Sequence, residues 1–224
     1  GDEVSVIEAS FLFSLIWSVG AAVNSDGRKT FDRELRKILN GTPGEEFARF
    51  VREGSERKMR KPIPKNGEVY DYVFDLEKGY WEEWMKIVPK QEIKPTAEYS
   101  QIIVTTLDVV RYTHLMRMLV ANHSHVLLVG PTGTGKSRYI IGLLNHLDAQ
   151  HWNSMVFNFS ARTSANMTQD IIDGKLDKRR KGIYGPPPGK RCVIFVDDLN
   201  MPSVEVYGAQ PPIELLRQYM DYNG

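Results

Sequence analysis

His125-Val-Leu-Leu-Val-Gly130-Pro-Thr-Gly-Thr-Gly-Lys136-Ser137-Arg-Tyr-Ile-Ile141 is the stretch from which the rest of the chain is read. His125 to Val129 is a short apolar run of β-branched and aliphatic residues, the pattern of a strand buried on both faces. Gly130 to Ser137 satisfies G-x-x-x-x-G-K-[ST] at every fixed position. From Ser137 to Leu147 the apolar residues return to helical spacing, so that Ile140, Ile141, Leu143, Leu144 and Leu147 can share a face. Strand, Gly-rich turn and helix follow one another without interruption, which is the context this motif requires.

A polyphosphate carries several charges and has to be held without bulky side chains in the way. Gly133 and Gly135 let the backbone turn and approach closely. The loop's N–H groups and the start of the following helix then point at the anion. The expected cradle runs through Gly130, Pro131, Thr132, Gly133, Thr134, Gly135, Lys136, Ser137 and Arg138. Lys136 supplies a mobile positive charge for the β- and γ-phosphates. The Ser137 hydroxyl is placed to ligate Mg²⁺, a hard cation that takes oxygen ligands.

The second half of such a site is legible in Cys192-Val-Ile-Phe-Val-Asp197-Asp198, an apolar strand ending in two carboxylates. Hydrolysis needs one carboxylate to anchor the metal and another to orient the attacking water. Asp197, at the strand end, suits the metal. Asp198 occupies the place of the base, so Asp198 and Lys136 are the candidate catalytic residues. Many ATPases of this type carry Glu at that second position. Asp is one methylene shorter, about 1.5 Å of reach, and misplacement of that order can cost about 10²-fold in rate. The expectation is a site that binds ATP and turns it over slowly or not at all.

The 224 residues suggest one or two domains, and 42% hydrophobic residues suffice for a sizeable core. Lys plus Arg is 29 against 28 Asp plus Glu, a net charge of +1, which gives no reason to invoke nucleic acid or an anionic membrane as partner. A single cysteine, Cys192, excludes an internal disulfide and suits a reducing compartment. It opens an apolar run and reads as a buried strand residue. Ala9 to Val23 is apolar but interrupted by serines and a glycine, and reads as too short to span a bilayer. With Asp2, Glu3 and Glu8 before it, the segment lacks the positive start of a signal peptide.

Taken in order, Val4 to Val23 reads as a helix buried on most sides, with Phe11, Leu12, Leu15, Ile16 and Val19 as its densest face and Asn24-Ser-Asp-Gly27 as its break. Thr30 to Leu39 is amphipathic: Phe31, Leu35, Ile38 and Leu39 face in, and Arg28, Lys29, Arg33, Arg36 and Lys37 face out. Glu45 to Arg52 is a short third helix. Arg49 to Lys65 holds seven basic and two acidic residues, the composition of a solvated helix end and loop. Glu68 to Asp75 alternates as a half-buried strand, and Tyr80, Trp81, Trp84 and Met85 read as core aromatics. These residues make a small, mostly helical domain over 1–90, and residues 91–224 begin an α/β domain. In that second domain, Ile102 to Val104 is a short extended run and Thr106 caps a helix from Leu107 to Asn122. Met155 to Phe159 is a further strand, and Thr163 to Leu176 the return helix. Tyr184-Gly-Pro-Pro-Pro-Gly-Lys-Arg191 contains Gly-Lys but lacks the fixed Gly and Ser/Thr, and reads as a loop.

Phe11-Leu-Phe-Ser-Leu-Ile-Trp-Ser-Val-Gly20, Tyr70-Asp-Tyr72, Gly130 to Ser137, Asn158-Phe-Ser-Ala161, Lys178-Arg-Arg-Lys-Gly-Ile-Tyr-Gly-Pro186 and Phe195-Val-Asp-Asp-Leu-Asn-Met-Pro202 together resemble dynein heavy chain of axonemal type. The phosphate loop is shared by many families, whereas the Val-Asp-Asp-Leu-Asn-Met-Pro run with the Trp-Ser-Val-Gly helix is far more specific. The resemblance implies a P-loop AAA+ three-layer αβα core preceded by a lid. Residues 1–90 would be the lid of the second AAA+ module, and residues 91–224 the N-terminal part of the third. It also implies ATP or ADP with Mg²⁺ as cofactors, and an adenine pocket lined by Ile103, Val104 and Thr105. The whole protein would be a microtubule motor in the cytoplasm and the axoneme of cilia or flagella. Its partners would be the neighbouring modules of the ring, dynein intermediate and light chains, and microtubules reached through distant parts of the chain. The main hydrolysis site would lie in the first module, with this one as a gate. The sheet order of the fold places a further strand, with the sensor residue, between the phosphate-loop strand and the one ending in Asp197, and that strand is expected beyond Gly224. Two other readings stand beside this one. The first is an independent P-loop NTPase or kinase; the chain has no Asn-Lys-x-Asp guanine signature, and no second substrate pocket is evident. The other is a structural module permanently holding ADP.

Overall fold

The computed structural model describes residues 2–42, 44–50, 59–88 and 106–222. Packing divides the chain into two compact units, Gly1–Val110 and Arg111–Gly224.

The first unit starts with helix α1 (Asp2–Ser18), followed by a 3-10 turn (Gly20–Ala22), α2 (Ser25–Leu39) and the short α3 (Glu45–Ala48). A second 3-10 turn (Val69–Asp71) leads into an antiparallel pair, β1 (Tyr72–Asp75) and β2 (Tyr80–Glu83). Its core is aromatic. The ring of Trp17 meets those of Trp84 and Tyr70 edge-on, at 5.7 and 5.9 Å between centroids, and Phe13 lies 6.2 Å from Trp84. Edge-to-face contacts of this kind add about 0.5–1.5 kcal/mol each to the burial itself. Two of the polar ends are satisfied inside, with the Tyr70 hydroxyl donating to Gly20 O at 2.6 Å and Trp84 Nε1 to Tyr70 O at 2.9 Å, whereas the buried Trp17 Nε1 has no hydrogen-bond partner among the described residues. Gly20 has to be glycine, because a Cβ there would sit 2.6 Å from the Phe31 ring. Tyr80 and Met85, expected in the core, are half exposed, while Trp81 and Trp84 are buried.

Several sequence expectations for this unit change. The buried face of α1 is Ala9, Leu12, Phe13 and Ile16, whereas Phe11 is 65% exposed and Val4, Ile7 and Val19 are also exposed within the unit. The aromatic cluster sits on one side of the helix only, so one stripe is covered rather than most sides. By length and composition Glu3–Ala22 is apolar enough to cross a bilayer, longer than the interrupted run read from sequence; its inner stripe packs in this core. Asn24 is a cap rather than a break: its side chain accepts Gly27 N–H at 2.9 Å and starts α2. Arg36 is not simply outward. It donates to Asp32 at 3.0 Å and to the carbonyls of Pro64 and Gly67 at 2.9 and 3.1 Å, while Asp32 accepts Val69 N–H at 2.8 Å. That network fastens the loop to α2. β1 is buried on both faces rather than alternating. Helix α3 ends at Ala48, four residues before the expected Arg52, and residues 51–52 lie outside the described residues.

Helix α4 (Leu107–Ala121) runs across the boundary, and the second unit continues with α5 (Lys136–Asn145), β3 (Trp152–Asn158), α6 (Ala165–Lys175), β6 (Arg191–Asp197) and α7 (Pro211–Tyr222). β3 and β6 pair in parallel, from Trp152 opposite Arg191 to Asn158 opposite Asp197. The connection between two parallel neighbours needs a crossover, which here includes α6. Met155, Phe157 and Ile172 form the core, with Leu176, Cys192, Val196, Leu216 and Tyr219 packed on it. Cys192 lies on the strand as expected but is half-buried rather than buried, and that partial burial pushes its thiol up from the usual value. Ser164 caps α6 by accepting Met167 N–H at 3.2 Å. A hairpin of β4 (Asp177–Arg180) and β5 (Ile183–Gly185) follows α6, and β5 takes Tyr184 and Gly185 from the stretch Tyr184–Arg191 expected as loop.

The apolar run His125–Val129 belongs to no strand, and Val129 is 85% exposed. A strand needs a hydrogen-bonded neighbour. β6 is bonded to β3, and among the described residues no strand lies beside 125–129. The expectation of a fully buried strand is therefore not met within this chain.

Candidate functional site

Gly133 and Gly135 both take left-handed backbone angles, φ +80° and +84°, which only glycine adopts without strain. They bend the chain from the apolar run into α5, whose N-cap is Gly135. The first helical N–H to find a carbonyl is that of Tyr139, bonded to Gly135 O at 3.1 Å. Those of Lys136, Ser137 and Arg138 are left at the helix start, where the dipole is positive and an anion is favoured.

Lys136 folds back over the loop. Its ammonium donates to Gly130 O at 2.9 Å, Pro131 O at 2.6 Å and Thr134 Oγ1 at 3.4 Å, and Thr134 Oγ1 itself donates to Pro131 O at 3.0 Å. An ammonium has three protons, and here each meets an oxygen of the loop. Gly130, Pro131, Thr134 and Lys136 are thereby held together, while Thr132 and Gly133 form the exposed crest. Arg138 is exposed and Ser137 half-buried on the first turn of α5. Tyr139 lies outside the motif and is not among the residues its pattern picks out. Its ring lies over Gly135, where a Cβ would come within 3.0 Å of it; the spacing from Gly135, one helical turn, is the signal that could have shown it.

Asp197 closes β6 opposite Asn158, and its carbonyl accepts Phe159 N–H at 3.0 Å. Asp198 is one of two non-glycine residues among those described with positive φ, at 52°. Asp is one of the few side chains that visit this region routinely, through short local hydrogen bonds. Here its own N–H donates to Asp197 Oδ1 at 3.1 Å and its carbonyl accepts Met201 N–H at 2.9 Å. Asp197 is half-buried and Asp198 exposed. Among the described residues no hydrogen bond or ion pair joins Lys136 or Ser137 to either aspartate, so the two halves of the site are each formed but not bonded together. Ile103, Val104 and Thr105, expected at the adenine, lie outside the described residues.

The donor set fits the expected groups. Among the described residues no three His, Cys, Asp or Glu side chains converge as a metal cage. Mg²⁺ does not ask for one: it is held by one or two protein oxygens plus phosphates and water, which the Ser137 hydroxyl and the Asp197 carboxylate can supply. The cleft of about 340 Å³ in this unit lies elsewhere, between the end of β3 and α6, beside Asn158, Thr163, Ile171 and Lys175. It includes no residue of the phosphate loop.

Comparison with known proteins identifies the family of both units. The family described as P-loop containing dynein motor region matches residues 91–224, and that described as dynein heavy chain AAA lid domain matches residues 2–86. Dynein axonemal heavy chain 12 of Mus musculus is 50% identical over 217 residues, covering 96% of this chain and 7% of that protein. Dynein axonemal heavy chains 3 and 1 of Homo sapiens are each 44% identical, covering 96% and 99% of this chain and 5% of their own length. The chain therefore spans only a small part of the relatives it matches. With an α/β phosphate-loop unit following a helical lid, both matched end to end by these families, the chain belongs to the dynein heavy chains of axonemal type.

Proposed function

We propose that the chain is a nucleotide-binding AAA+ segment of an axonemal dynein motor, with residues 1–90 as the lid of the second module and 91–224 opening the third. ATP or ADP would be held by the loop Gly130–Ser137, with Lys136 supplying charge to the β- and γ-phosphates, and Ser137 and Asp197 are the residues that would hold Mg²⁺. The observation that carries this reading is the loop itself: two left-handed glycines, a helix start and a lysine folded back onto the loop's carbonyls. When bound, the metal neutralises phosphate charge; the chain's own part is to bind, orient and position the water through Asp198. The neighbouring modules of the same heavy chain complete the ring, with microtubules, intermediate chains and light chains engaged through other parts of it, in the axoneme of cilia or flagella and the surrounding cytoplasm.

Photolabelling the full-length heavy chain with an azido-ATP tests the binding. Label on the peptide containing residues 126–141 is expected, and label confined to other phosphate loops overturns the reading. The site's regulatory character rests on Asp198. In a full-length chain whose other sites are silenced, Asp198→Glu is expected to speed single-turnover hydrolysis by up to about 10²-fold, the cost that a misplaced group of this size carries. Part of that gain is offset, because Glu tolerates the φ of 52° less well than Asp. An unchanged rate counts against Asp198 as the limiting element.

A further inference from the structure

Between Asp198 and α7 the chain forms an arm whose root is fastened and whose tip is bare. At the root, Met201 N–H donates to Asp198 O at 2.9 Å, Ser203 Oγ to Ala161 O at 2.7 Å, and Gln210 Nε2 to Pro202 O at 2.6 Å. At the tip, a turn is closed by Gly208 N–H to Glu205 O and Glu205 N–H to Ala209 O, both 2.8 Å, with Gly208 at φ +83°. The two residues on this turn, Val206 and Tyr207, are 95% and 98% exposed, and Val204 beside them 63%. Single exposed apolar side chains are ordinary. A valine and a tyrosine side by side on a turn closed by two hydrogen bonds, on an arm fastened at its root by three more, are a different matter, because part of the ordering cost of binding has been met already.

We propose that Val206 and Tyr207 are an anchor that seats in an apolar pocket on another segment of the same heavy chain, with a hydrogen-bond acceptor within reach of the phenol. Tyrosine is among the residues that dominate interface energies, since its ring buries much area at low entropy cost. From Leu199 to Ile213 there is no lysine or arginine and one acid, Glu205. That composition does not suit an acidic protein surface or nucleic acid. The occupant follows from the size of the relatives: this chain covers 5–7% of them, so most of the heavy chain is available as partner. The same unit also leaves Leu127 and Val129 exposed at the phosphate loop, a surface that further protein of the same chain would have to cover. Because the arm is rooted on Asp198, it ties that contact to the nucleotide site. The inference rests on the chain being a segment of a larger motor.

The test places the photocrosslinker benzoylphenylalanine at Tyr207 in the full-length heavy chain. Crosslinks to heavy-chain peptides outside these 224 residues are expected. Crosslinks to another polypeptide, to residues 106–222 only, or none at all, each overturn the proposal. Radical footprinting of the unsubstituted chain gives a second readout that does not depend on how the variant folds. Tyr207 is expected to be labelled about tenfold more slowly than in the denatured chain, as an anchor enclosed from water would be; equal labelling overturns the proposal. Azido-ATP labelling of the 126–141 peptide in the same preparation shows separately whether the nucleotide reading holds.

Discussion

Trp84→Ala is expected to open the lid unit. Trp84 is 0% exposed, one of the largest side chains wholly inside the unit. Removing a buried aromatic costs about 3–5 kcal/mol, because the lost transfer energy is joined by a cavity that the surroundings fill only in part. Here the neighbours cannot collapse easily. Trp17 is held edge-on to Tyr70 at 5.9 Å as well as to Trp84 at 5.7 Å, so moving it toward the cavity breaks the first contact. The substitution also leaves the Tyr70 carbonyl without the indole N–H that donates to it at 2.9 Å; a buried acceptor stripped of its donor carries a further desolvation cost. In the full-length heavy chain, amide exchange in α1 and α2 is expected to accelerate by about 10²–10⁴-fold, the equivalent of that energy. Tyr80→Ala on the neighbouring strand is the control. Tyr80 is 49% exposed, and surface substitutions usually stay within about 0.5 kcal/mol. If both variants exchange alike, the aromatic cluster is not what holds the lid.

The residues of that cluster also show how far the sequence can be read. Trp17-Ser-Val-Gly20 and Tyr70-Asp-Tyr72 carry the resemblance, and each has a physical role in the structure. Gly20 makes room for Phe31 and accepts the Tyr70 hydroxyl. The phosphate loop is legible because its conformation is local. Gly133, Gly135 and Lys136 dictate it within a few residues, whatever lies around them. What is not legible is non-local. Whether His125–Val129 becomes a paired strand depends on a neighbour, which no local pattern reveals. Phe11 reads as inward because it is apolar, but only the position of Trp84 decides which stripe of α1 is covered. The β4–β5 hairpin is hidden because Lys178-Arg-Arg-Lys181 has none of the apolar alternation that marks a half-buried strand, and β4 is exposed along its whole length. Helix α7 is hidden by Pro211-Pro212, although proline is well placed in a first helical turn.

Lys136→Ala is expected to weaken nucleotide binding at this site by about 10²–10³-fold. The magnitude is a difference between two sets of bonds. In one, the ammonium donates to Gly130 O, Pro131 O and Thr134 Oγ1. In the other, it leaves them for the β- and γ-phosphates, and hydrogen bonds to charged groups contribute about 1.5–3 kcal/mol each. Two such bonds would give more than the expected loss; releasing the loop acceptors offsets part of it. Alanine does not disturb the helix, since position 136 is the first residue of α5 and alanine is the best helix former. A loss of binding therefore reports the ammonium, with the loop it braces, and not a broken helix. Lys136→Arg keeps the charge but presents a planar fork in place of a compact head with three donors. It cannot converge on three loop oxygens in the same way, and it is expected to bind better than alanine but not to restore the site. The measurement is azido-ATP labelling of the 126–141 peptide across a nucleotide titration in the full-length chain. If alanine labels within about twofold of lysine, less than one ordinary hydrogen bond is at stake. The ammonium would then serve only to brace its own loop, and the phosphates would have to be held by backbone amides alone.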